Sequence, residues 1–525
     1  MTSYGQGSSF GRWGQRQWRP ALFVQDDFRV SNELTLNLGA RWEYDQPLYE
    51  VNDKQANVDI KTGAVTYAGQ NGASRALYKP FYGGFMPRVG FSYSPSLLRN
   101  RFVVNGGYAI TSFMEGMGAN LRLTLNQPYF VDVAGNANGG AAFHEANGFP
   151  MPTNLNVLSG NVRAWDPNLK PSLIQQYDLM MQYEPSNSMS LTVAYAGQKG
   201  NHLVDPREAD QAKCSLVALP NQPTPCALPL AGVLPNVSQL SYTESESVMN
   251  YNALQSTLRR QMSHGLEFLA NYTFSKSFTN NKGYYGAGGT AGANNYFQDA
   301  YNPHAEYGLN LVDATHLFSF GGYYKLPFGR DGIIGTNLNP FLNNVVGGWK
   351  LGAIASAHTG FPLTLTSTQY YNANQRANRP NQYRKLKIVN QSAAHWFGTD
   401  ASATACRNSA SLNPAAVSTK VNGSTIWTSN DNGTCAYGEE LSTGFGTSGV
   451  STERAPGYKN FDLSASKNIT LPHENNLQFR ADAYNVLNTV SLGPPTVAVS
   501  NNAFGSIGST VSVERRIQLA LKLSF

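Results

Sequence analysis

The chain has 525 residues, of which 14% are charged and 12% aromatic, with 50 glycines and a formal net charge of +6. This balance is poor in the Glu, Lys and Ala of helical proteins, and a modest charge without any Lys/Arg block argues against a nucleic-acid partner. Mean hydropathy is -0.34 and no apolar run reaches ~18 residues, which excludes membrane-spanning helices but not a membrane barrel, whose alternating strands dilute the signal.

Residues 1–20, "MTSYGQGSSFGRWGQRQWRP", have no apolar core and no small-residue cleavage site. They read as an outer loop or a truncated strand, not as a signal peptide, and Trp13–Arg19 offers one hidden extra strand. From Ala21 a period of two takes over. Thirteen segments carry it: 21–30, 34–45, 87–95, 102–113, 172–184, 189–203, 251–262, 266–280, 316–327, 349–367, 460–471, 475–489 and 514–525. In "LTLNLGARWEY", Leu34, Leu36, Leu38, Ala40, Trp42 and Tyr44 face one way, and Thr35, Asn37, Gly39, Arg41 and Glu43 the other. The closing "RRIQLALKLSF" sets Ile517, Leu519, Leu521, Leu523 and Phe525 on one side. Most segments exceed the ~5–6 residues of an average soluble strand and match the ~9–11 that cross a bilayer at a tilt. The apolar side then meets lipid and the polar side a wet lumen, with Arg41, Glu43, Lys276, Arg480 and Asp482 on or near it.

The connections alternate strictly between compact ones (31–33, 94–100, 185–188, 263–265, 328–348, 472–475) and long ones (46–86, 114–171, 204–250, 281–315, 368–459, 490–513). Short periplasmic turns and long outer loops produce that alternation. The expected fold class is therefore all-β, a transmembrane antiparallel β-barrel over residues 21–525 with 13–14 spans present. Thirteen is odd, so the first and last strands run the same way and would pair in parallel on closure. Single-chain bacterial barrels are antiparallel with even strand numbers. At least one upstream strand is thus expected to belong to the barrel.

Inside the long loops, "NVDIKTGAVTYA" reads as a hairpin turning at Lys-Thr-Gly, and "LRLTLNQPYFVDV" (121–133) as a loop strand outside the barrel count. Cys214 with Cys226, and Cys406 with Cys435, fall in two close pairs in loops. That placement suits disulfides in an oxidising compartment, with unpaired thiols as the alternative; ligand spacing for a metal is missing. Tyr284, Tyr285, Tyr370 and Tyr371 place aromatic hydroxyls in outer loops, equally suited to stacking on a sugar or peptide and to loop–loop packing.

Catalytic signatures are absent: there is no G-x-S-x-G, no H-E-x-x-H and no phosphate loop. Asp313 and His316 form a conceivable acid–base couple, with a polar pair at the mouth of a strand as the plainer reading. His358 and Phe361 either line a ligand path or pack against the next strand. No catalytic residue, cofactor or metal is expected.

Five stretches, in order, carry a family resemblance: "ALFVQDDFRVSNELTLNLGARWEYDQP", "LVDATHLFSF", "GGWKLGAIASAHTGFPLTL" followed by "NRPNQ", "APGYKNFDLSASKNITL" and "LQFRADAYNVLNT". Together they resemble the barrel of TonB-dependent outer-membrane receptors, in particular the Oar-like group, over about Ala21 to Phe525. The resemblance implies a 22-stranded barrel in the outer-membrane lipid, and a plug that couples it to the energy-transducing TonB complex. Plug and signal peptide are not found in this sequence. The terminal Phe525 resembles the residue read by the barrel-assembly machinery. Expected function is capture of an unknown bulky solute by outer loops and its passage across the outer membrane. The rivals are a non-transporting structural or adhesive barrel, an outer-membrane enzyme using Asp313 and His316, and a soluble secreted β protein.

Overall fold

A computed structural model of the chain describes residues 3–9, 11–98, 101–114, 123–136, 154, 157–281, 296–330, 332–471 and 475–525. Thirteen strands form its main sheet: β1 (Ala21–Arg29), β2 (Leu34–Glu43), β3 (Phe85–Tyr93), β4 (Phe102–Phe113), β5 (Ser172–Ser186), β6 (Met189–Glu208) and β7 (Val237–Ser263). They continue with β8 (Leu266–Thr279), β9 (His316–Lys325), β10 (Trp349–His358), β11 (Tyr458–Thr470), β12 (Asn476–Tyr484) and β13 (Arg516–Ser524). Each pairs antiparallel with the next in sequence, so the sheet is one continuous meander. All thirteen expected segments are strands of this sheet.

Register keeps one apolar face across the whole meander. Directly opposite residues share a face, so the pairings Leu38–Val89, Val89–Tyr108 and Tyr108–Tyr177 form one apolar row. Leu179–Tyr195, Tyr195–Leu254 and Leu254–Phe274 continue the face, and Ala353–Leu463, Leu463–Ala483 and Ala483–Ile517 complete it. A slip of one residue in any strand would turn its whole apolar set over. Leu179, Tyr195, Leu254 and Phe274 are all exposed, as lipid-facing side chains are. The opposite face is polar: Thr257 Oγ1 donates to Asn271 Oδ1 at 2.9 Å, and Asn271 Nδ2 donates to Ser319 Oγ at 3.3 Å.

Turns at one end are tight because their residues permit it. Between β7 and β8, His264 and Gly265 both have positive φ (52° and 80°), as a two-residue hairpin with a right-handed strand twist requires. A Cβ on Gly265 would stand 2.9 Å from the Lys325 carbonyl oxygen. Gly265→Ala is expected to destabilise the chain by about 1–2 kcal/mol in urea unfolding from lipid vesicles. Gly321→Ala, whose Cβ meets nothing within 4 Å, is the control without loss.

At the other end β6 and β7 overshoot the sheet. They are 20 and 27 residues long, and beyond the irregularities at Gly200–Asp205 they enter the loop layer. There Gly160–Trp165 pairs in parallel with Val237–Thr243 of β7, a pairing no sequence period announced. The expected hairpin is present as Ala56–Val58 against Val65–Tyr67. Of the 121–133 loop strand, Leu123–Leu125 is a 3-10 turn instead, and Phe130–Asn136 pairs with Ser3–Ser9. Gln15–Arg16 pairs with Tyr49–Glu50, so the Trp13–Arg19 stretch supplies no strand to the main sheet. β1 and β13 run the same way and are not paired with each other, which leaves two open edges among the described residues.

Candidate functional site: the outer loop cap

The long loops fold into a cap over one end of the sheet, with apolar cores of their own. One gathers Leu77, Tyr78, Leu123, Trp165, Leu169 and Val204; a second joins Val58, Val162, Leu230 and Leu240. Leu365, Phe397, Tyr437 and Val499 form a third, and Ala212, Leu219, Tyr371 and Ile426 a fourth. Segments far apart in sequence thus bury each other's apolar surface, at roughly 25 cal/mol per Å². Cys214 is bonded to Cys226 and Cys406 to Cys435, with Cα–Cα distances of 5.6 and 5.8 Å. Asp431 lies close to the second pair, but bonded sulfurs offer no thiolate to a metal, and Asp431 is held by Arg384 at 2.8 Å.

A buried polar network ties three of the long loops together. Arg379 Nη1 meets Glu306 Oε2 at 2.6 Å, with side chains 5% and 0% exposed. Gln298 N–H donates to Glu306 Oε1 at 2.8 Å, Gln298 Nε2 donates to the Gly446 carbonyl at 2.8 Å, and Gln211 Nε2 donates to the Gln298 carbonyl at 2.9 Å. Nearby, the Arg376 guanidinium stacks 3.6 Å over the Tyr296 ring, and Arg207 pairs with Glu244 at 2.6 Å. Charges buried this deeply need such partners, because desolvation costs several kcal/mol per ion.

Asp205 has none. Its Oδ1 accepts from the Ser247 N–H at 3.2 Å, and burial first, the Glu244 carboxylate second, push its pKa up to about 8. A carboxyl raised above its unfolded value near 3.8 stabilises fully below that value, and the contribution is lost as pH rises through about 8. Burial likewise carries Glu208 and Glu244 up to about 7. Hydrogen-exchange protection of the cap, corrected for intrinsic rates, is therefore expected to fall on the order of tenfold between about pH 6 and 9. Asp205→Asn should make the fall shallower and level it off near pH 7, where Glu208 and Glu244 titrate, instead of near 8.

Two concavities are candidate solute contacts. In the cap, a cavity of about 260 Å³ is lined by Leu309, Leu311, Leu363, Leu365 and Val450, with Asn378 and the Glu306–Arg379 pair in its wall. On the polar face of the sheet, a groove of about 340 Å³ runs over Gly39, Gly90 and Gly107 between Gln25, Asn37, Arg88, Gln176 and Asp178. Apolar walls with a few convergent polar groups, as in the cap cavity, suit the binding of a solute.

The residues singled out from sequence divide. Asp313 is buried and clamped: Arg454 meets it at 2.7 Å, and its Oδ1 accepts from the Ser277 N–H at 2.8 Å. The ring of His316 instead bonds the Tyr272 hydroxyl at 2.8 Å. Each is thus engaged with a different partner. His358 packs with Phe361 and Tyr458 at ring distances of 5.1 and 5.5 Å. Tyr371 is buried against Phe445 at 4.9 Å, and the N–H groups of Tyr370 and Tyr371 both donate to Glu440, which makes this pair a packing element. Tyr284 and Tyr285 lie outside the described residues. Arg41 pairs with Glu43 at 2.6 Å and Arg480 with Asp482 at 2.8 Å, all on the polar face. Lys276 does not join them. It opposes Asn252 in the same alternation as Phe274, on the apolar face near its outer end, and reaches Thr315 Oγ1 at 3.1 Å. Phe525 is fully exposed at the open edge. Sequence reasoning missed Asp205, Glu208, Glu244, Glu306, Arg376 and Arg379, whose partners lie tens of residues away.

A meander with one continuous, predominantly apolar face, tight turns at one end and a folded cap at the other is a membrane β-barrel wall. Residues 1–518 match the model of the outer membrane beta barrel domain family, and the chain belongs to that family. Its place is the outer membrane. No curated protein is similar to it in sequence. Solved structures with a related fold include the outer membrane transporter YddB from Escherichia coli, 10% identical with a TM-score of 0.45, covering 96% of this chain and 44% of that one. The ferripyoverdine receptor of the outer membrane of Pseudomonas aeruginosa is 10% identical at TM-score 0.43, with 97% and 39% covered. The ferric-catecholate import receptor Fiu from E. coli K12 is 11% identical at 0.38, with 99% and 45% covered. The chain spans less than half the length of these three proteins.

Proposed function

We propose that this chain is barrel wall and outer cap of a TonB-dependent, Oar-like transporter, which captures a bulky solute at the cap and passes it through a lumen gated by a plug. The observation that carries this reading is the combination of a polar sheet face, suited to lining a lumen, with a cap whose buried network binds three long loops into one folded body. The two open, same-direction edges support closure by an odd number of further strands, since an exposed edge in lipid leaves backbone groups unpaired at several kcal/mol each. In purified outer membranes, an antibody to the 368–459 loop should then detect a polypeptide well above 57.1 kDa. A band at 57.1 kDa would favour a passive or adhesive barrel.

Growth on a panel of iron chelates, glycans and peptides tests transport. Loss of growth on one of them upon gene deletion, and its abolition by a proton uncoupler, supports the reading. Unchanged growth with lost surface attachment supports an adhesive barrel, which the folded cap would also serve. The paired cysteines fit a protein matured outside the reducing cytosol. Phe525 is proposed as the residue read during barrel assembly, with the expectation that its deletion lowers folded, heat-modifiable protein in the outer membrane on the order of tenfold.

A further inference from the structure

The connection between β9 and β10, residues 326–348, is the long member of the tight-turn end, and it is built differently from the other turns. It contains a short helix, Pro340–Val346, capped where Asn339 Oδ1 accepts from the Leu342 N–H at 2.8 Å. The loop before it is fixed by the Ile333 and Ile334 N–H groups, which both donate to the Pro327 carbonyl at 2.8 and 2.9 Å. Arg330 fastens loop to helix, its N–H donating to Asn343 Oδ1 and its Nε to the Leu338 carbonyl, both at 2.7 Å. This ordered framework holds apolar side chains out in the open: Ile333 is 86% exposed, Phe341 76%, Ile334 56% and Val345 55%. Exposed apolar side chains held on a fixed scaffold mark a contact surface.

The patch stands on a definite side of the sheet. Trp349 Nε1 donates to the Val345 carbonyl at 2.9 Å, and Lys467 Nζ donates to the Gly347 carbonyl at 2.5 Å. Trp349 and Lys467 oppose each other in register, and Trp349 meets the Phe479 ring at 6.0 Å. All three belong to the apolar face, in the alternation of Leu351, Ala465 and Leu477. The helix is therefore tied down at the rim of the lipid-facing surface, away from the lumen face where a plug would lie.

We infer that the described residues of this connection, 326–330 and 332–348, form an interfacial anchor that beds Ile333, Ile334, Phe341 and Val345 into the glycerophospholipids of the periplasmic leaflet, at the headgroup–acyl boundary. Continuity with the lipid-facing strands selects lipid over a periplasmic protein as occupant. Apolar side chains carried on a polar framework at the membrane rim are what such shallow insertion needs. The inference uses the outer-membrane placement of the family and the assignment of tight turns to the periplasmic side.

The four cysteines are all disulfide-bonded, so a single introduced thiol can be labelled alone. The full chain carrying Phe341→Cys or Ile333→Cys, labelled with an environment-sensitive nitrobenzoxadiazole dye, is reconstituted into phosphatidylethanolamine–phosphatidylglycerol vesicles with or without acyl-brominated lipid. Asn187→Cys, on the exposed β5–β6 turn at the same end, is the reference. Bromolipid should quench the 341 and 333 labels at least about threefold more than the 187 label. Equal quenching at all three positions would overturn the anchor. So would labels that become shielded only when a periplasmic extract is added, since the patch would then be a protein-docking surface. Should Phe341→Cys not fold, Val345→Cys reads the same patch.

Discussion

Val193→Arg should largely prevent folding into lipid, while the neighbouring Thr192→Arg should be nearly silent. Val193 opposes Met181 and Ser256 on the apolar face; Thr192 opposes Gln182 and Thr257 on the polar one. A cation on the lipid face near the bilayer midplane costs about 2–4 kcal/mol, and a lumen-facing one meets water or polar partners. Urea titration of folding into phosphocholine vesicles, read by heat-modifiable migration, gives both values. The contrast between adjacent residues is the informative quantity, because any soluble sandwich with a packed apolar face would penalise Val193→Arg without requiring lipid to fold. Similar losses at both positions would mean that the sheet does not present one face to lipid.

The second large effect lies in the cap. Arg379→Ala removes the guanidinium that both Glu306 carboxylate oxygens accept from, and removal of one partner from a buried pair costs about 3–5 kcal/mol. Arg379 Nε also donates to the Ser448 carbonyl at 2.9 Å, and Glu306 accepts from the Gln298 N–H at 2.8 Å, so the loss spreads to the 298 and 446 segments. The expected result is rapid proteolysis of the loops with the membrane strands still protected. Adding Glu306→Gln should restore part of the loss, since a neutral amide is cheaper to bury than a carboxylate that has lost its guanidinium. Arg516→Ala, at an ion pair with Glu514 whose side chains are 62% and 69% exposed, should change stability by less than about 1 kcal/mol.

The two regions differ in how much of them the sequence discloses, and the reason is physical. A lipid-facing strand must alternate at every second residue, so "LEFLANYTFS" states its own conformation, and β4 occupies 102–113 as its alternation indicates. Strand ends are less legible where burial changes from lipid to loop. β7 starts at Val237, well before the alternation at 251, because its opening stretch, Val237–Thr243, pairs with Gly160–Trp165 in the cap. There the face-by-face rule no longer applies. The cap's charged core is illegible for a similar reason: Glu306 and Arg379 are separated by 73 positions, and nothing local distinguishes either from a solvated loop charge. Lys276 misled because a charged residue next to Ser275 and Ser277 reads as part of the polar side, although its parity matches Phe274. One cap element was available. Asn422 and Gly423, with φ of 47° and 82°, form the two-residue turn of the Val417–Val421 and Ser424–Ser429 hairpin, and Asn-Gly is a strong hairpin signal.

Labelling of single cysteines in intact cells by a membrane-impermeant maleimide tests the central claim, a barrel wall with its cap outside. Ser424→Cys, exposed in the cap hairpin, should react at once in whole cells. Asn187→Cys, exposed in the opposite turn, should react only after the outer membrane is permeabilised. Equal labelling of both in intact cells, or of neither, would contradict a sheet that crosses the outer membrane in this orientation.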